Sequence, residues 1–226
     1  MRFALNADHR DFFSKNHYIE LEGLLAPTQI DVLKRHADCA LAARLHISVE
    51  GLEDKSAVEL FQAGYDLWRD EGAIRKIVQK KSYAALAGEL LNMTALRLAF
   101  DEYLYTVKGG DSPFSEELTL QDTSSLAPLA GGLLLPLEDV TDSVSFFPLP
   151  LKRGNGLYFS SELQIPWPRL FAISGLRLFL IGFGQKKTFF RAETKDPHTV
   201  YLKKLDYAFN DLLDEHRHPT LLSKRY

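Results

Sequence analysis

The stretch ALRLAFDEYLYTV, residues 95–107, decides the fold. Leu96, Leu98, Phe100, Tyr103 and Tyr105 make it an extended apolar run too rich in aromatics and leucine to sit in a loop. Asp101 and Glu102 interrupt it. On an alternating strand their side chains point to opposite faces, so no shared proton is expected and both read as structural. Upstream of Met93 the texture is helical. Asp8 can cap a short helix through about Lys15 with Phe12 and Phe13 facing inward. His17–Leu21 alternates like a short strand. Pro27 opens a long helix whose apolar face is Ile30, Leu33, Ala37, Leu41 and Leu45. The stretch from Lys55 to Tyr65 is ambiguous. Ile74, Ile77 and Val78 mark another helix, and Tyr83–Leu91 the next.

Downstream of residue 107 the turn cluster Gly109–Pro113 leads into short apolar runs at 130–137, 144–149, 156–160, 173–183 and 186–192, punctuated by glycine and proline. Gly182-Phe183-Gly184 and Gly109-Gly110 lack the spacing of a phosphate loop and read as turns. A last helix is expected over Val200–Leu213, with Leu202, Leu205, Phe209 and Leu212 on one side. Helices, then strands, then one helix is the order of an α+β protein. The expectation is one domain over 1–226: a helical layer to about 93, a β core over 94–192 of the double-stranded β-helix (jelly-roll, cupin-like) kind, and a C-terminal helix and tail from 193.

Composition excludes several classes. The 226 residues are 46% hydrophobic and 12% aromatic, far from a disordered chain. The single Cys39 excludes an intramolecular disulfide and reads as a small buried thiol on a helix. No apolar run approaches the length of a membrane span, and MRFALNADHRDFF lacks the apolar centre of a signal peptide. A soluble, cytoplasmic protein is expected, with no membrane partner. Net charge is −3, and residues 1–80 carry 11 basic against 13 acidic groups, a poor match to phosphate. Basic pairs such as Lys186-Lys187, Lys203-Lys204 and Lys224-Arg225 alternate with acids, so nucleic acid is not an expected partner.

The segment FFSKNHYIELEGLL, residues 12–25, resembles the opening of the phytanoyl-CoA dioxygenase family. Asp66-Leu67-Trp68-Arg69 with Ile74-Arg75 is similar to its second helical segment, and Leu96–Leu104 to its first core strand. Asp196-Pro197-His198, Leu202-Lys203 and His218-Pro219 resemble the tail of some bacterial relatives. The resemblance implies the double-stranded β-helix of the Fe(II)/2-oxoglutarate oxygenases. It also implies two histidines and one carboxylate on iron, and a basic residue gripping the 2-oxoglutarate carboxylate.

The histidines do not follow. His9, His17, His36, His46, His198, His216 and His218 leave none between 47 and 197, the interval of the β core. The implied His-x-Asp position reads Leu120-Gln121-Asp122, and the distal position falls near Glu162–Trp167. Leucine has no lone pair for a metal, so no metal site and no cofactor are assigned, although the family implies Fe(II) and 2-oxoglutarate. Asp122, Gln164 and Arg177 are kept as vestigial or ligand-binding candidates. Arg177 stands about where the family's 2-oxoglutarate-binding arginine would, and Arg97 is a second arginine on an apolar strand. His198, His216 and His218 form the one histidine cluster, read as a polar, exposed C-terminal turn. Ser124-Ser125 has no nucleophile-elbow flanks.

The reading is thus a non-catalytic or repurposed protein on an oxygenase-like fold, binding a small ligand or a protein partner. Two alternatives stand beside it. One is an active oxygenase using Asp122 with tail histidines. The other is a divalent-metal-responsive transcriptional regulator.

Overall fold

The structure, a computed structural model, describes residues 4–107, 111–139, 152–192 and 195–224. The expected strand at 144–149, the Gly109-Gly110 pair and Arg225 lie outside them.

Helix α1 (Ala7–Asn16) is capped by Asn6, whose Oδ1 accepts from His9 N at 2.8 Å, so the helix starts one residue before the expected cap Asp8. Phe13 is buried and Phe12 is 43% exposed, a correction that follows from helical geometry. Adjacent residues lie on different faces and cannot both point inward. β1 (Tyr18–Leu21) and α2 (Pro27–Arg44) stand where periodicity puts them, and Ile30, Leu33, Ala37 and Leu41 are the buried face of α2. The ambiguous stretch after Lys55 resolves as α3 (Ala57–Ala63), capped by Ser56. A short 3-10 turn over Leu67–Arg69 leads into α4 (Gly72–Val78) and α5 (Lys81–Leu90).

The strands are β2 (Ala95–Tyr105), β3 (Leu118–Thr119), β4 (Leu126–Pro136), β5 (Gly156–Ser160), β6 (Gln164–Ile165), β7 (Arg177–Phe190) and β8 (Thr220–Ser223). Five of them join β1 in a curled six-stranded antiparallel sheet in the order β1-β5-β4-β7-β2-β8, and β3 pairs with β6. α3 and α5 pack on β2, and α5 also on β4. This is why β2 and the centre of β7 are buried on both faces and read as unbroken apolar runs. Each fully buried leucine or phenylalanine here, such as Leu133 or Phe179, is stabilised by about 1.5–3 kcal/mol of burial. The architecture is a cupin-like jelly roll with helices on one face.

Three expectations needed correction. Gly182-Phe183-Gly184 is not a turn but the middle of β7, which therefore runs as one strand through the two separate runs expected there. A Cβ on Gly182 would lie 2.6 Å from the Phe100 ring, so glycine is what lets that ring lie on the strand. The C-terminal helix is shorter than expected: α7 spans Thr199–Lys204, after a short α6 (Trp167–Phe171) upstream. Asp206 and Asn210 adopt φ of 60° and 67°, and Leu213 N donates to Thr188 O at 2.9 Å. The backbone thus exchanges helical bonds for the free edge of β7 and leaves Phe209 and Leu212 exposed. β8 was not anticipated. It covers only Ala95–Arg97 of β2, and beyond it Gly64–Asp66 becomes the neighbour of β2, with Tyr103 N on Gly64 O (3.0 Å) and Asp66 N on Asp101 O (2.8 Å). No helix among the described residues is long and apolar enough to cross a membrane.

Candidate functional site

The alternation of β2 sorts its two acids. Asp101 points to the helical side, where its carboxylate accepts from Leu67 N (3.1 Å) and Trp68 N (3.0 Å). Glu102 points with Phe100 into the interior of the jelly roll, and the two are on opposite faces as the strand pattern requires. Glu102 lines a cavity of about 20 Å³ together with Phe61, Tyr65, Leu120, Trp167 and Leu180. That volume accommodates about one water molecule.

The segment after β7 inserts His198 into this interior, 5% exposed. Its ring stacks on Tyr65 at 4.1 Å and 16° and lies 4.9 Å from the Phe61 ring. Nε2 is 3.3 Å from Glu102 Oε2 and 3.3 Å from Phe61 O, and Nδ1 is 3.3 Å from Asp196 Oδ1. Asp196 fastens the segment: Oδ1 accepts from His198 N (2.8 Å) and Oδ2 from Ser125 N (2.6 Å). Burial, then the neighbouring Asp101, Asp196 and Asp66, holds the Glu102 carboxyl well above the ordinary range. Burial likewise raises the Tyr65 phenol, helped by Asp66 and Asp196. Glu102 Oε1 and the Tyr65 hydroxyl are buried with no hydrogen-bond partner among the described residues.

The candidates chosen from the sequence fall in two places. Asp122 is exposed, its Oδ2 accepting from Thr119 N (3.0 Å) and Oγ1 (2.7 Å). Gln164 is exposed and sits opposite Thr119 in the β3–β6 pair, so these two are neighbours through Thr119. Arg177 does not join them. It opens β7, while Asp122 lines a cleft of about 540 Å³ with Arg191, just past the other end of that strand, and with Lys195. The guanidinium of Arg177 pairs with Asp38 (3.4 Å) and Glu138 (3.6 Å) and stacks on Tyr105 at 4.2 Å. Asp38 also accepts from the Tyr103 hydroxyl at 2.5 Å. Arg177 therefore ties α2 to the sheet. Arg177→Met is expected to lower stability by about 1–3 kcal/mol, because it leaves a mostly buried Asp38 without its cation. The denaturant midpoint checks this, and an unshifted midpoint removes Arg177 from the framework.

Arg97 is buried and donates to Leu213 O, so it is a strut and not a residue of the interior cavity. The tail histidines are corrected in part. His216 is exposed, but His198 and His218 are buried, and they have separate partners. His218 Nδ1 contacts Ala99 O at 2.8 Å; a carbonyl only accepts, so Nδ1 carries the proton. Burial holds this imidazole down to about 4. Asp122, His216 and His218 share no hydrogen-bond partner among the described residues. Cys39 is exposed, not buried.

The resemblance to the phytanoyl-CoA dioxygenase family implies Fe(II) and 2-oxoglutarate, held by two histidines, a carboxylate and a basic side chain; among the described residues the interior cavity is lined by one imidazole, that of His198. Leu120, at the position where the resemblance implies a histidine, lines the interior cavity. The two carboxylates beside His198 face opposite edges of its ring and cannot converge on one ion. Among the described residues no group of three or more His, Cys, Asp or Glu is arranged to hold a metal. The Glu102–His198 pair escaped sequence reasoning because 95 intervening residues hide it. The available signal was a glutamate inside an apolar strand, which demands a buried partner.

No protein-family model and no curated protein matches this sequence. Solved structures do match in fold. One is SnoK, a non-heme alpha ketoglutarate dependent carbocyclase from nogalamycin biosynthesis, at 13% identity and TM-score 0.69, covering 96% of each chain. Another is SnoN, a non-heme alpha ketoglutarate dependent epimerase of the same biosynthesis (16%, TM-score 0.66, 94% of this chain and 96% of that one). A third is HygX from Streptomyces hygroscopicus, with nickel and 2-oxoglutarate bound (15%, TM-score 0.53, 92% and 98%). The chain has the jelly-roll fold of these enzymes.

Proposed function

We propose that this chain, built on the fold of the non-heme iron/2-oxoglutarate enzymes, is a repurposed member of that architecture that works by binding and not by iron chemistry. The observation that carries the reading is the interior cavity. About 20 Å³ walled by Leu120, Phe100, Trp167 and Leu180 has room for one water, whereas 2-oxoglutarate needs many times that. The only imidazole there has both ring nitrogens directed at carboxylates. Function resides in the site and not in the fold, so the donor set outweighs the fold likeness. The capacity that remains is recognition of a small ligand or protein partner.

Anaerobic titration of the purified chain with Fe(II), followed by 2-oxoglutarate and oxygen, tests this. Substoichiometric iron and no succinate above the protein-free background are the expected results. One iron per chain, lost on Glu102→Gln or His198→Ala, would overturn the reading.

A further inference from the structure

We propose that the interior of the jelly roll is a recognition site for a planar nitrogen heterocycle of the imidazole class, filled in this structure by the chain's own His198. This rests on the reading of a site without iron and adds the chemistry of its ligand. Tyr65 stacks face to face on the ring at 4.1 Å and Phe61 lies tilted against it at 4.9 Å and 41°, aromatic contacts that favour a flat π-system. Two of the oxygens facing the ring nitrogens, Glu102 Oε2 and Phe61 O, belong to β2 and α3. They would remain in place for a free heterocycle after the segment carrying His198 had left. A core histidine needs partners for its two nitrogens and nothing more. Here Glu102 Oε1 and the Tyr65 hydroxyl stay buried with no hydrogen-bond partner among the described residues, so the pocket offers more polar capacity than His198 uses.

The carrier is also suited to release. α7 has six residues, of which Leu202 alone is buried, and Val200 is 64% exposed. Beyond His198 itself, the ties of the segment to the rest of the chain include Asp196 on Ser125 N, the Thr199 hydroxyl on Ser125 Oγ at 2.6 Å, the exposed Lys195–Glu116 pair at 2.7 Å and the edge contact of Tyr201 with Tyr65 at 5.6 Å. Departure of the segment would expose the aromatic walls, and a heterocycle with the same ring would restore the stacking and the contacts of one ring nitrogen with Glu102 Oε2 and Phe61 O, while Asp196 leaves with the segment.

The test uses the full chain carrying His198→Ala, with imidazole as the probe. If the emptied site binds imidazole near 1 mM, 50 mM imidazole raises the melting temperature of the variant by about 5 °C relative to wild type. Benzene, a ring without nitrogen, gives less than half of that shift. An equal response in variant and wild type overturns the proposal, and so does a benzene shift as large as that of imidazole. Should the variant fail to fold, wild-type hydrogen exchange decides. Imidazole at high concentration should speed exchange of the Leu202 and Leu205 amides, which bond to His198 O and Leu202 O. Unchanged exchange overturns it. Iron binding by wild type would sink the parent reading alone, through a different readout.

Discussion

Asp101→Ala is expected to lower the unfolding free energy by about 2–4 kcal/mol. Asp101 is fully buried, and its two oxygens take the Leu67 and Trp68 amides of the 3-10 turn. Alanine orphans both donors, each at about 1–3 kcal/mol. Part of that is offset because a buried carboxyl, already raised by burial and by Asp66, no longer has to be accommodated. The donor loss wins because two groups are stranded for one removed. Asn at the same position keeps one acceptor and should cost about half as much. The turn also sets Asp66 and Tyr65, so the variant should loosen the wall of the interior cavity. Denaturant unfolding measures the change, and a loss below about 1 kcal/mol would mean that the turn stands without this anchor.

The second large effect is a gain. Glu102→Gln should match wild type near pH 4.5 and become progressively more stable than it as pH rises. The unfolded chain gives up this proton near the ordinary glutamate value, while the folded chain keeps it to higher pH, because burial and the acids around it oppose ionisation. Between those two values the native state binds more protons, so wild-type stability falls with rising pH. The slope is about 1.4 kcal/mol for each pH unit of that span. Glutamine does not titrate and loses nothing there. Urea unfolding of both proteins from pH 4.5 to 8 reads the divergence. Parallel curves would show that Glu102 ionises in the folded chain as easily as in water.

Local pattern was enough for α2, whose apolar face follows from 3.6-residue spacing, and for β2, whose aromatic run has no polar face to offer water. It was enough as well to see that histidine is missing from 47–197 and that leucine stands at the implied metal position. It failed at β7, where Gly182 and Gly184 look like turn residues until the Phe100 ring against Gly182 and the Thr188 side chain against Gly184 explain why a side chain would be crowded there. It failed after α7 because the alternative to helix was a partner strand edge, which no local window contains. Nor could a local window place the candidate trio: Asp122 and Gln164 meet across Thr119, while Arg177 is drawn to Asp38 on α2.

By itself, the order of residues determined the element types and the chemical inventory: an aromatic β core under a helical layer, with two acids set into its first strand. Only the tertiary structure decided that one of those acids would meet an imidazole and the other two backbone amides. Periodicity acts within a few residues, where backbone geometry dictates which face a side chain takes. The pairing of Glu102 with His198 arises instead when the sheet curls closed and the tail crosses the opening. Whether a buried carboxyl is tolerated depends on the partner that this closure delivers.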